Sequence, residues 1–204
     1  MGFGWLFVGY FFAYVSSFSA ELSFGMLVGF PLMIVAFYKL ASYQTAFRAC
    51  FYYSFASLPF ALYFGVFGIS KLFQLSVGGI FLESGVFLAV IQWLLFAFSV
   101  GMHLLLLYAV AQLTGELALF SMRVAAWRNL ILMMLYYFVD AVARLPFVQP
   151  IAQYFVLPVI LLRVVTILMN LLLIFDCYRK ICSEEEKNKP VELPLEAETR
   201  KGKK

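Results

Sequence analysis

Three ionisable side chains, Asp140, Arg144 and Arg163, fall within or beside long apolar runs of this 204-residue chain. Asp140 and Arg144 stand at i, i+4, the order that favours an acid–base pair along one face of a helix. Arg163 lies inside "PVILLRVVTILMNLLLIFD", residues 158–176. At 100° per residue, Arg163, Thr166, Asn170 and Cys177 share one stripe of that segment. An arginine at the centre of a membrane helix costs about 2.5–3.5 kcal/mol, while each Leu, Ile, Val or Phe contributes about 0.3–0.6 in the other direction. The apolar neighbours of Arg163 outweigh that cost, so the segment inserts. The guanidinium still requires a partner, water or a ligand. Two chemistries fit these residues: binding of a small charged or polar solute, or an ion pair that holds two helices in register.

Other polar side chains repeat at helical spacing. Gln92, Ser99 and His103 share a face, as do Asn129, Met133, Tyr136, Tyr137, Asp140 and Arg144. His103 is the single histidine, and a lone histidine in an apolar run is expected to hydrogen-bond a neighbouring helix rather than carry a metal. The three cysteines, Cys50, Cys177 and Cys182, have no zinc or iron–sulfur spacing and suggest no disulfide framework. There is no HExxH, GxSxG or P-loop motif. No catalytic residue, metal or cofactor is therefore assigned. Asp140 and Glu83 are the carboxylates nearest the outer half, and nothing in the sequence pairs them.

The elements that must position these residues are set by composition. Hydrophobic residues make up 64% of the chain and charged residues 13%, with a mean hydropathy of +0.93. Soluble domains carry about 25% charged residues, so the solvent for most of this chain is lipid. About 20 apolar residues cross a bilayer core of roughly 30 Å. Six spans are predicted, over 3–20, 23–40, 50–68, 85–108, 130–146 and 154–176, the fifth ending at Pro146 and Pro150. The first lacks the basic n-region of a signal peptide and reads as a retained span. With the N-terminus inside, twelve Lys and Arg fall on the cytoplasmic side, eight of them after residue 178, against Lys71 and Arg144 outside. That bias places both termini in the cytoplasm. Counting inward at 1.5 Å per residue, Arg163 lies about 21 Å from the inner boundary, between Asp140 at about 18 Å and Arg144 at about 24 Å. Spans five and six are close in sequence, so Asp140 and Arg163 are expected to meet.

Between spans four and five, "ELALFSMRVAAWRN" suits either a helix lying in the inner interface or the extension of a neighbouring span. Gly78 and Gly79 suggest an outer loop or bent half-helix. Gly25 and Gly29 form a small-xxx-small pair suited to close helix contact. The expected organisation is a membrane domain over 1–178 and a charged tail over 179–204, disordered or weakly helical in water. The positive charge of the tail is mixed with six Glu and reads as orientation, not nucleic-acid binding.

The opening "MGFGWLFVGYFF" and the closing "LLIFDCYRKICSEEE" resemble a loose group of uncharacterised multi-pass membrane proteins of Gram-positive bacteria. That resemblance implies a bacterial plasma membrane and carries no activity. The sequence thus predicts an all-α integral membrane bundle of about six spans. The expected function is a small solute-binding or transport component, with Asp140 and Arg163 lining the site and Arg144, Thr166, Asn170 and His103 beside them. Its partners would be the bilayer and a small solute or another membrane protein, such as a larger importer. The rival is a non-catalytic scaffold in which the same residues lock helices. An intramembrane lipid-modifying enzyme ranks last.

Overall fold

The first helix shows how this chain packs. Phe3, Leu6, Tyr10, Ala13 and Tyr14 recur at helical spacing and are buried, while Trp5, Val8 and Phe11 face outward. The computed structural model describes residues 2–15, 23–73, 85–145 and 149–187, with no side-chain description for 149–153, 155 and 182–187. All regular structure among them is helical: α1 Phe3–Tyr10, continued by a π turn over Phe11–Val15, then α2 Gly25–Leu40, α3 Ala46–Ser54, α4 Ser57–Leu72, α5 Gly85–Glu116, α6 Phe120–Ala143 and α7 Gln149–Lys187. Neighbours pack in a closed cycle: α1 on α2, α2 on α3 and α4, α3 on α5, α5 on α6, α6 on α7, and α7 back on α1.

Two helical segments, Gly85–Glu116 and Val156–Ile181, are long and apolar enough to cross a membrane. A third span arises if α3 and α4 count as one, bent by 43°. The predicted straight span over 50–68 is therefore broken. The bend sits where Pro59 cannot donate to the carbonyl of Phe55, four residues back. Ser54 and Ser57, both buried, turn their hydroxyls onto the carbonyls of Phe51 and Ser54, which also bends helices. Helix α6 is long, but Arg123, Arg128, Asn129 and Asp140 make it more polar than the other two.

The predicted fourth and fifth spans are longer than expected, and their connection is short. Helix α5 runs to Glu116 and α6 begins at Phe120, so residues 120–129 extend α6 and form no separate interfacial helix. The turn is closed by Leu119 N–H donating to the Thr114 carbonyl at 2.8 Å, with Ala118 between them at φ 55°. This is a Schellman closure with alanine where glycine is favoured. Helix α7 begins at Gln149, not at 154, so Pro150 occupies its first turn, where a missing N–H costs nothing. It continues through Lys187, past the expected 178/179 boundary. The Glu21 region, Gly78, Gly79, Glu83, Pro146 and the tail from 188 onward lie outside the described residues.

Close backbone approach joins α1 to α2. A Cβ on Gly29 would collide with the backbone N and Cα of Ala13, and one on Gly9 would lie 2.9 Å from the Met33 backbone nitrogen. The partners of this contact are Gly9 and Gly29 on facing helices, where the sequence pattern pointed to Gly25 and Gly29 on one. At the N-terminal end of α1, Gly2 meets Leu40 and Gly4 meets Tyr178, so α1 is clasped between α2 and α7.

Two substitutions test these constraints through thermal unfolding of the purified protein in detergent. Gly29→Ala is expected to destabilise by about 1–3 kcal/mol, because rigid backbone must move. Ala118→Gly is expected to stabilise by about 1 kcal/mol, because the left-handed backbone is relieved of its Cβ.

Candidate functional site

The polar stripes predicted on α5, α6 and α7 turn toward one another. At the end of the bundle away from Gly2 and Leu40 they enclose a cavity of about 330 Å³. Its charged walls are Asp140 and Arg144 from α6 and Arg163 from α7. Gln92 and Ser99 come from α5, Tyr136 and Tyr137 from α6, Tyr14 from the π turn and Ser23 from the start of α2. Phe64 and Phe67 of α4, with Leu95, Phe96, Met133 and Ile167, supply the apolar surface.

Asp140 pairs with Arg144, as their i, i+4 spacing favours. Arg144 Nη2 lies 2.9 Å from Asp140 Oδ2, and Arg144 Nε donates to the same oxygen at 3.0 Å. Both residues belong to the end of α6, so this pair joins no two helices. Asp140 is buried, whereas the Arg144 side chain is 39% exposed and stands at the rim. Its guanidinium also lies over the rings of Phe96 and Trp93, at 5.2 and 5.8 Å from their centroids, which holds it by cation–π attraction. Arg163, half-buried, faces the cavity from α7.

The other three predicted residues lie outside the cavity lining. Thr166 is buried, and its hydroxyl donates to the carbonyls of Leu162 and Arg163 on its own helix, both at 2.9 Å. His103 and Asn170 belong to a hydrogen-bonded chain in the core beneath the cavity. His103 Nδ1 lies 2.8 Å from the Ser99 carbonyl. A carbonyl only accepts, so this nitrogen carries the proton. In the neutral ring Nε2 then accepts from Tyr10 Oη, 2.9 Å away. Tyr10 Oη accepts in turn from Asn170 Nδ2 at 3.2 Å. Tyr137 Oη, 2.9 Å from His103 Nδ1, shares that N–H as a second acceptor. One end of the network therefore reaches the cavity wall, which Tyr137 lines.

Tyrosines 10 and 14 were not singled out in the sequence. The signal was present: they stand at i, i+4 in a segment otherwise made of Gly, Phe, Val, Leu, Ala and one Trp. The π turn brings the second ring round to the same histidine. Tyr14 packs edge-on against His103 at 4.5 Å and Tyr10 at 5.6 Å. Single π turns of this kind recur at functional sites. Tyr14 Oη is buried, lines the cavity and makes no well-formed hydrogen bond among the described residues, with the Ser99 side chain as a polar neighbour on the same wall. A buried hydroxyl so weakly bonded is suited to meet a guest in the cavity. Asn129 and Asn170 also keep their Oδ1 atoms buried without partners.

Cys50 and Cys177 are free and buried. No three metal-ligating side chains converge among the described residues. Comparison of the chain with protein-family models, curated proteins and solved structures gives no match.

Removing the central hydroxyl tests the network. Tyr10→Phe leaves His103 Nε2 without its donor and Asn170 Nδ2 without its acceptor. A loss of about 1–2 kcal/mol is expected, read as a lower unfolding temperature. A smaller loss is expected for Tyr137→Phe, because His103 Nδ1 keeps the Ser99 carbonyl.

Proposed function

We propose that this chain is a membrane-embedded solute-binding or transport component, crossing the bilayer six times with both ends in the cytoplasm of a bacterial cell. One observation carries the solute-binding reading. Asp140 and Arg144 of one helix and Arg163 of another line the same cavity of about 330 Å³. Small-molecule sites have volumes of about 300–1,000 Å³ and combine apolar walls with a few placed polar groups. The cavity suits a small polar solute. Its charged groups would meet Arg163 and the Asp140–Arg144 pair, and its hydrogen-bonding groups would meet Tyr14, Gln92 and Ser99.

Charge placement supports the topology. Lys39, Arg48, Arg123, Arg128 and Arg179 fall at the end of the bundle that holds Gly2, while Arg144 and the cavity occupy the opposite end. With basic residues inside, the cavity faces outward, as a site that captures solute for an importer requires. Helices α1 and α2 are short for this reading. The π-extended α1 and α2 cover about 20 and 24 Å, and a thinned bilayer or flanking residues make up the difference.

A second reading, a scaffold locked by buried polar groups, is favoured by the chain from Asn170 through Tyr10 to His103, which ties α7, α1 and α5. Water access to the cavity separates the two. In proteoliposomes, Ser99→Cys is expected to react with a membrane-impermeant maleimide at a rate within about tenfold of an exposed cysteine, and Ala109→Cys, buried in the core, is expected not to react. A Ser99→Cys protein as inert as Ala109→Cys in either liposome orientation would refute the solute-binding reading and leave the scaffold.

A further inference from the structure

At the opposite end of the bundle from that cavity, the turn between α2 and α3 forms a second cleft, of about 580 Å³. It is lined by Tyr38, Lys39, Ser42, Tyr43, Arg48 and Tyr52, together with Ala41 and Phe51. Two cations nine residues apart are brought to one cleft by the turn, and no carboxylate lines it. The Lys39 ammonium is held over the Trp5 ring at 5.4 Å, which fixes where that charge stands.

An apolar strip runs from the cleft toward the middle of the bundle. Phe51 packs against Tyr38 at 5.7 Å and against Phe55 at 5.0 Å. Val28, Val35 and Phe55 are all exposed. Val28, Val35 and Lys39 follow helical spacing on α2, and Arg48, Phe51 and Phe55 do so on α3. Each helix therefore presents a cation at its end with apolar surface extending from it. A free anion uses only the first of these features. A ligand with an anionic head and acyl chains uses both.

From this geometry we infer that the α2–α3 cleft is a binding site for an anionic phospholipid. Its phosphodiester sits between Lys39 and Arg48, the tyrosine hydroxyls at the rim reach its glycerol and head group, and one acyl chain lies along the strip of Phe51, Phe55 and Val35. Basic pockets at the cytoplasmic ends of membrane helices suit such head groups, and tyrosines belong at that depth. The inference rests on the membrane reading and not on solute binding at the other cavity. The maleimide result at Ser99 leaves it unaffected.

The test uses the full chain, purified and delipidated in an uncharged detergent. Native mass spectrometry and thermal unfolding are followed with phosphatidylglycerol, phosphatidylcholine, glycerol phosphate or inorganic phosphate. Phosphatidylglycerol is expected to remain bound and raise the unfolding temperature by several degrees, and the other three to do neither at equal concentration. The double variant Lys39→Gln/Arg48→Gln is expected to bind phosphatidylglycerol about tenfold more weakly or worse. The pair Arg179→Gln/Lys180→Gln, at the same end of the bundle on α7, should bind as the unaltered chain does. The inference is overturned if phosphatidylcholine competes equally or if Lys39→Gln/Arg48→Gln binds like the unaltered chain. An equal response to inorganic phosphate also overturns it, since that would mark a site for a free anion. Competition between the two lipids on the unaltered chain decides the matter even if the double variant does not fold.

Discussion

The hydroxyl of Tyr10 is the point on which the bundle is organised. It lies on the shortest of the apolar segments, yet it reaches His103 on α5 and Asn170 on α7 at once. Lipid offers no substitute for these bonds, because buried polar groups there must be satisfied within the protein. The reach depends on how deeply α1 sinks into the cycle of helices. That depth depends on Gly9 and Gly29, where a single methyl group would push α1 and α2 apart. A contact between backbones thus sets the position of a hydroxyl, and the hydroxyl meets the histidine nitrogen that the Ser99 carbonyl leaves as an acceptor.

The same arrangement divides the polar residues into two layers. In the core layer, His103, Asn170 and Thr166 spend their donors on Tyr10, on Tyr137 and on backbone carbonyls. In the layer above, Asp140, Arg144 and Arg163 face a space instead of a packed interface. Tyr137 belongs to both, with its oxygen on His103 and its ring against the cavity. Events in the cavity therefore have one short route to the core, through a phenol shared between an imidazole N–H and whatever occupies the space.

Much of this arrangement is written in the sequence at helical period. The stripes through Gln92, Ser99 and His103, and from Asn129 to Arg144, turn inward as spacing requires. The apolar runs locate the helix bodies, although the last three helices run well past the predicted ends. Other features depend on information that periodicity does not carry. Depth counting sets Asp140 and Arg163 at similar heights, and both line one cavity. It does not show that a cavity lies there. The bend at Pro59 was hidden because the run around it, broken only by Ser54 and Ser57, is apolar enough to read as one span. The role of Tyr10 and Tyr14 was hidden because aromatic residues are so common here that two more do not stand out. The three-residue turn at Ala118 lacks the glycine that would have announced it.

The length of α7 has a mechanical consequence. From Arg163 to Lys187 the helix is a single rod with no proline, about 36 Å long, while Pro158 lies just beyond Arg163 on the other side. A pivot at that proline, where one backbone hydrogen bond is missing, would make the rod a lever with its short arm at the cavity wall. A tilt of about 5° there moves the Lys187 end by about 4 Å. A shift at the Arg163 side chain too small to alter the packing around it would arrive at the far end of the helix as a displacement wider than a hydrogen bond.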